Sequence, residues 1–272
     1  MSDTLFHTNK ISTIKVKNIE IGGDEFIVMA GPCSIESKEQ LFEISKTVSK
    51  QGATVLRGGA FKPRTSPYDF QGLGEKGLIY LREAADRFNL CCISEVMSED
   101  EVALVEDYVD ILQVGSRNMH NYSLLKALGK TRKPILLKRG FSATYKEWLF
   151  AAEYIIKGGN PQVIFCERGI RTFEHYTRNT LDLSAIPVLR TFTSLPIIVD
   201  PSHGVGLRDI VPCMANAVIA LRGNGLMVEV HNFPDRSLSD AKQTISLCAF
   251  SEMMKNLRPI GKAVNMRVRG GE

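Results

Sequence analysis

Short apolar runs in this chain end, one after another, on residues that can bind or transfer charge. FIVMAG (26–31) leads to Cys33, ATVLRG (53–58) carries Arg57, and LCCISEV (90–96) carries Glu95. VDILQVG (109–115) carries Gln113 and leads to Arg117, PILLKRG (134–140) holds Lys138, and PQVIFCERG (161–169) holds Glu167 and Arg168. PIIVDPSH (196–203) ends on Asp200 and His203, and GLMVEVH (225–231) on Glu229 and His231. A charge at the end of a strand buried on both faces has to be satisfied or used. Taken singly, each has a bland explanation: a surface ion pair for an arginine, a satisfied structural histidine, an inert buried thiol for Cys33. Within MAGPCS alone, Cys33 is also compatible with a nucleophile or a metal ligand, the buried thiol being the commonest of the three. The bland explanations weaken together, because many buried charges gathered without a ligand are costly.

The basic members, Arg57, Lys62, Arg64, Arg117, Lys138 and Arg168, are too many for one carboxylate and suit phosphate and carboxylate groups together. Thr65 and Ser66 of KPRTS add hydroxyl donors in the same loop. Cys33, His203, Glu229 and Asp240 mix thiolate, imidazole and carboxylate, a set suited to Zn2+, Fe2+, Co2+ or Mn2+ and poorly suited to Mg2+, although no local metal motif is present.

Positioning these groups at one mouth requires parallel strands that converge. The eight runs alternate with stretches of three- and four-residue apolar spacing at 38–50, 121–129, 146–159, 206–220 and 239–257. Eight strands with intervening helices predict a (β/α)8 TIM barrel with its active mouth at the C-terminal strand ends. Period-two alternation puts Val55 with Arg57, Leu136 with Lys138, and Met227 with Glu229 and His231, each set on one face. A doubly wound sheet is the competing architecture, but GxGxxG and GxxxxGK are both absent. The weak alternation in ISTIKVKNIEIGG predicts a small β-hairpin within an N-terminal extension, 1–24, ahead of a catalytic barrel at 25–258 and a tail at 259–272. The loops 57–74 and 170–192 are long enough to build a site.

Length and composition are those of a soluble globular chain: 272 residues, 44% hydrophobic, 24% charged. A formal charge of +4 without a long Lys/Arg stripe excludes a nucleic-acid binder as the first expectation. Six scattered cysteines without a CxxC pair point to a reducing compartment. No signal peptide or bilayer-spanning run is evident, so the expectation is a cytoplasmic protein without a membrane partner.

AGPCSIES (30–37), LRGGAFKPRTSPYDFQGLG (56–74), DILQVGSRNMHN (110–121), PILLKRG (134–140), ERGIRTF (167–173), TRNTLDLSAIP (177–187) and VDPSHGVG (199–206) appear in order with ISEVM (93–97) and GLMVEVH. With these stretches, spread over roughly residues 25–250, the sequence resembles the type I 3-deoxy-D-arabino-heptulosonate 7-phosphate (DAHP) synthases, in the subgroup shared with 3-deoxy-D-manno-octulosonate 8-phosphate synthases. The resemblance implies condensation of phosphoenolpyruvate with erythrose 4-phosphate and water, the first step of the shikimate pathway. It implies metal ligation by Cys33, His203, Glu229 and Asp240, phosphoenolpyruvate binding by Arg57, Lys62, Arg117, Lys138 and Arg168, and capture of the aldehyde phosphate by Arg64 and Thr65. The catalytic set is then Lys62, Glu95 and His203: Lys62 gives a proton to the aldehyde oxygen, Glu95 handles the attacking water, and cations around Lys62 should lower its pKa. Pro63, where octulosonate synthases usually have Asn, favours erythrose 4-phosphate over arabinose 5-phosphate.

Departures from the family pattern are NFPDR (232–236), LRGNG (221–225) and Ala241, which stands in place of a usual glycine beside Asp240. The resemblance further implies the short catalytic form without a regulatory module and a homo-oligomer (dimer or tetramer); the sequence leaves a separate regulatory protein open. A Schiff-base aldolase using Lys138 is the rival enzyme class, and a non-catalytic sugar-phosphate or metal-binding protein is the bland alternative.

Overall fold

A computed structural model describes residues 12–62 and 66–270. Its centre is a closed ring of eight parallel strands: β3 (Glu25–Gly31), β4 (Val55–Arg57), β5 (Cys91–Val96), β6 (Ile111–Val114), β7 (Ile135–Lys138), β8 (Val163–Glu167), β9 (Ile197–Val199) and β10 (Gly225–His231). Parallel pairing of β10 with β3, Gly225 opposite Ile27 through Glu229 opposite Gly31, shuts the ring. Each strand coincides with one of the eight apolar runs, β3 starting one residue earlier at Glu25, and the open-sheet alternative is excluded.

Ahead of the ring, β1 (Ile14–Val16) and β2 (Ile19–Ile21) form an antiparallel hairpin; the first eleven residues of the expected extension lie outside the described residues. Ile14, Val16, Ile19 and Ile21 cluster with Ile27, Met29, Val55, Ile93, Leu136, Ile164 and Met227, so the hairpin packs against the apolar residues lining the lumen. A separate cluster fills the layer between the strands and the surrounding helices, with Trp148 edge-on to Phe165, ring centroids 5.0 Å apart. Alternate strand residues therefore face lumen and helices, and two positions beyond the lumen residues Val55, Ile93, Ile111, Leu136, Cys166, Ile198 and Met227 come Arg57, Glu95, Gln113, Lys138, Arg168, Asp200 and Glu229. Glu167 has the opposite parity and pairs on the helix side with Arg139, 2.9 Å.

The helices are α1 (Lys38–Lys50), α2 (Glu75–Arg87), α3 (Val102–Tyr108), α4 (Tyr122–Leu128), α5 (Tyr145–Lys157), α6 (Ala185–Arg190), α7 (Pro201–Val205), α8 (Val211–Ala220) and α9 (Leu247–Ala263). Their starts follow side-chain chemistry: Ser37 Oγ accepts from Gln40 N, and Thr144 and Glu147 form a reciprocal capping box. The helix expected at 239–257 begins only at 247, where Ser246 Oγ accepts from Ala249 N. It also continues past 258, where the sequence placed the start of a tail, and β11 (Arg267–Val268) then pairs with the start of β3.

Candidate active site and metal centre

Ring closure brings four side chains from distant segments together. Cys33 follows β3, His203 lies in the first turn of α7, Glu229 is on β10, and Asp240 sits in the loop after it. One ligand atom from each lies within 4.8 Å of all the others. Asp200, at the N-cap of α7, accepts from the His203 backbone N–H at 3.0 Å and lies 2.7 Å from Nδ1. With the Nδ1 proton given to Asp200, the Nε2 lone pair faces Glu229 Oε1, 3.3 Å, and Asp240 Oδ2, 3.8 Å. Burial pushes the His203 pKa down past the opposing pull of Asp200 and Glu229, which favours the neutral, ligating form.

Cys33 Sγ lies 3.3 Å from Asp240 Oδ2. Burial, reinforced by Glu229, raises its thiol from 9.0 to about 12, while Asp240 is held well below the carboxylate range because His203 and Arg178 outweigh its burial. A thiol, an imidazole nitrogen and two carboxylates within this span fit a borderline divalent cation.

The second oxygens of both carboxylates are tied down. Gln243 Nε2 donates to Glu229 Oε2 at 2.6 Å, and Arg178 Nη1 donates to Asp240 Oδ1 at 3.1 Å and to Gln243 Oε1 at 2.7 Å. Neither Gln243 nor Arg178 was singled out from sequence.

Beside the cluster opens a cleft lined by His203, Asp240 and Glu95, by Lys62, Arg117, Lys138, Arg168 and Arg178, and by Gly115, Ser116 and Phe141. Lys138 is buried and its Nζ lies 2.6 Å from Asp200 Oδ2. Asp200 is held well below its usual range, since His203 and Lys138 more than reverse the effect of burial. Lys62 Nζ donates to Cys33 Sγ and to Cys33 O, both at 3.1 Å. The expected lowering of its pKa is reversed: burial and Arg57 oppose the ammonium, but Cys33 and Glu229 prevail and raise it. Counting the cations near Lys62 in the sequence leaves out the Glu229 carboxylate, which the fold brings close.

Arg57 sits behind the cluster and does not line the cleft; its Nη1 donates to Pro32 O at 2.6 Å and to Glu229 Oε1 at 3.2 Å. Ser66 also lies off the cleft, its Oγ accepting from Tyr68 N, and Arg64 and Thr65 fall outside the described residues.

The model of the DAHP synthetase I family matches residues 8–265. This chain belongs to the DAHP synthetase I family. A phospho-2-dehydro-3-deoxyheptonate aldolase of Thermotoga maritima is 49% identical over 257 residues, 94% of this chain and 76% of that protein. The crystal structure of that organism's DAHP synthase superposes with a TM-score of 0.95 at 47% identity, covering 98% of this chain and 79% of the other. A truncated form of the Thermotoga maritima 3-deoxy-D-arabino-heptulosonate 7-phosphate synthase gives 0.89 at 45% identity, covering 95% of each chain. A 2-dehydro-3-deoxyphosphooctonate aldolase of Koribacter versatilis is 28% identical over 93% of this chain and 98% of its own length.

As a DAHP synthetase I family member the chain keeps its last candidate ligand on a well-anchored loop despite the departures there. Asp240 itself takes the left-handed backbone conformation, φ 51°, and Ala241 is not among the residues of positive φ. Ser34 and Ser239 hydroxyls lie 2.8 Å apart, Glu36 accepts from Leu238 N at 2.9 Å, and Arg208 donates to Ala241 O at 2.6 Å. The replaced glycine is therefore not required for the backbone at position 241.

Proposed function

We propose that this chain condenses phosphoenolpyruvate with erythrose 4-phosphate and water, releasing DAHP and inorganic phosphate. The observation that carries the reading is the junction of a four-donor ligand cluster with a cleft rich in Lys and Arg. A bound divalent cation, held by Cys33, His203, Glu229 and Asp240, would supply Lewis-acid polarisation of an aldehyde oxygen.

Arg117, Lys138 and Arg168 bind the phosphate and carboxylate of phosphoenolpyruvate and set its carbon 3 against the aldehyde. As the carbon–carbon bond forms, Lys62 Nζ gives a proton to the aldehyde oxygen. Lys62 Nζ, 3.1 Å from Cys33 Sγ, is placed to reach an oxygen held beside the ligand cluster. Glu95 accepts a proton from the water that adds to carbon 2. The bond between carbon 2 and the phosphate oxygen then breaks, and inorganic phosphate leaves. Arg64 and Thr65 meet the phosphate of the sugar, with Ser66 in the same loop, while Arg57 fixes Glu229.

The Schiff-base alternative is disfavoured by Lys138, whose buried ion pair with Asp200 at 2.6 Å opposes a free amine. The sister reaction with arabinose 5-phosphate is kept as a second reading because relatives named 2-dehydro-3-deoxyphosphooctonate aldolase align over most of the chain. The reading extends to a cytoplasmic homo-oligomer, dimer or tetramer, on the family likeness alone; sedimentation would count the subunits. Among the described residues no helix is long and apolar enough to cross a membrane.

The decisive assay is phosphate release from phosphoenolpyruvate with each sugar phosphate, before and after chelation. Release with erythrose 4-phosphate, lost to chelator and restored by Mn2+, Co2+, Fe2+ or Zn2+, is expected. Faster release with arabinose 5-phosphate would move the chain to the sister reaction. A lysine adduct trapped by borohydride would replace the mechanism.

A further inference from the structure

Two strands deliver guanidinium groups to one aromatic ring, which follows the strand between them. Arg117 follows β6, Phe141 follows β7, and Arg168 and Arg171 follow β8. The guanidinium carbons of Arg117, Arg168 and Arg171 lie 5.7, 4.8 and 4.7 Å from the centroid of the Phe141 ring. All three distances are within cation–π range. Phe141 itself lines the cleft, and its carbonyl accepts from Arg171 N at 2.7 Å, joining the two loops.

An arginine that must greet an anionic substrate faces a conflict. A carboxylate would hold it in place but would occupy the same N–H donors and cancel the same charge. Among the described residues Arg117 has no acidic group within hydrogen-bonding distance, and Arg168, although buried, donates only to Gly169 O at 3.3 Å. The ring face attracts the guanidinium by its quadrupole and accepts none of the in-plane N–H bonds. Arg139 binds both Glu167, 2.9 Å, and Asp182, 2.8 Å, which ties the β7 and β8 loops together from the helix side.

We propose that Phe141 is a positioning residue that holds Arg117 and Arg168 over the cleft by its aromatic face, leaving their hydrogen-bond donors free for an anion bearing phosphate and carboxylate groups. This rests on the functional reading above only for the name of that anion, phosphoenolpyruvate.

The test compares Phe141→Leu and Phe141→Met, which keep an apolar side chain without a ring, with Phe141→Tyr, which restores the ring. Calorimetric binding of phosphoenolpyruvate to the metal-loaded protein is measured alongside KM for each substrate. Loss of the ring should weaken phosphoenolpyruvate binding and raise its KM by about 3- to 30-fold. The KM for erythrose 4-phosphate should stay put, and Phe141→Tyr should return the affinity to near the parent value. Unchanged phosphoenolpyruvate binding in the Leu and Met variants overturns the proposal, as does a Tyr variant as impaired as Leu. Because calorimetry reads binding alone, failure of the parent protein to release phosphate would refute the functional reading and leave this comparison to give its own answer.

Discussion

Gly115 and the Glu95 carboxylate compete for the same space: a β-carbon at position 115 would stand 2.0 Å from Glu95 Oε1 and 2.8 Å from its carboxyl carbon. Only the absence of a side chain on the β6 loop lets the Glu95 carboxylate sit where it does. The atom displaced is the tip of a flexible side chain, so the cost falls on placement and not on the fold. Gly115→Ala should therefore lower kcat by about 10²-fold or more, as expected for a misplaced proton acceptor. Its unfolding free energy should stay within about 1 kcal/mol of the parent. Steady-state phosphate release and a denaturant titration check both halves.

Metal binding should be coupled to loss of one proton. The Cys33 thiol, raised to about 12, is protonated at neutral pH, whereas the His203 pKa is lowered and Asp240 is already ionised. The thiolate is the ligand, so affinity rises with pH: Kd should fall about tenfold per unit from about pH 6.5 to 8. Chelator competition at several pH values measures this slope, and Cys33→Ala should flatten it. A parent slope of zero would mean that the thiol does not ligate.

Gln243 should matter through Glu229. Gln243→Leu leaves Glu229 Oε2 without its 2.6 Å donor and unties Arg178 from the pair. The expected result is a loss of about 10- to 100-fold in Co2+ or Mn2+ affinity, read by competition with a chromogenic chelator.

The hairpin against the lumen should act on stability alone. Ile21 is fully buried among the lumen residues, and Ile21→Ala should cost about 2–5 kcal/mol by denaturant titration. Turnover of the molecules that remain folded should be unchanged.

Much of this architecture is readable before folding because a strand buried on both faces cannot hide a charge. The pairs Val55/Arg57 and Leu136/Lys138 announce their direction, and the structure places their lumen partners as the alternation requires. The segment 239–246 misleads for a local reason. Gln243 N and Thr244 Oγ1 donate to the carbonyl of Asp240, whose backbone is left-handed, and no helical apolar spacing is present before Ile245. Arg178 and Phe141 lie in loops, where no periodicity reports direction, so their meeting with Asp240 and Arg168 emerges only in three dimensions. Lys62 shows a further limit: basic residues close in sequence do not report the Glu229 carboxylate, 167 positions away, that the fold brings near.

The candidate ligands straddle the seam where the first and last barrel strands meet. Glu229 is opposite Gly31 across that seam, and Cys33 and Asp240 touch from 207 positions apart. No partly synthesised or partly folded chain lacking β10 can assemble the set, so a cation that binds it rewards only the completed circle. By mass action, a thousandfold excess over Kd would stabilise that circle by about 4 kcal/mol. The ion would act as a clasp for the barrel as well as an ingredient of its chemistry, added to the five-residue ladder that already joins β10 to β3.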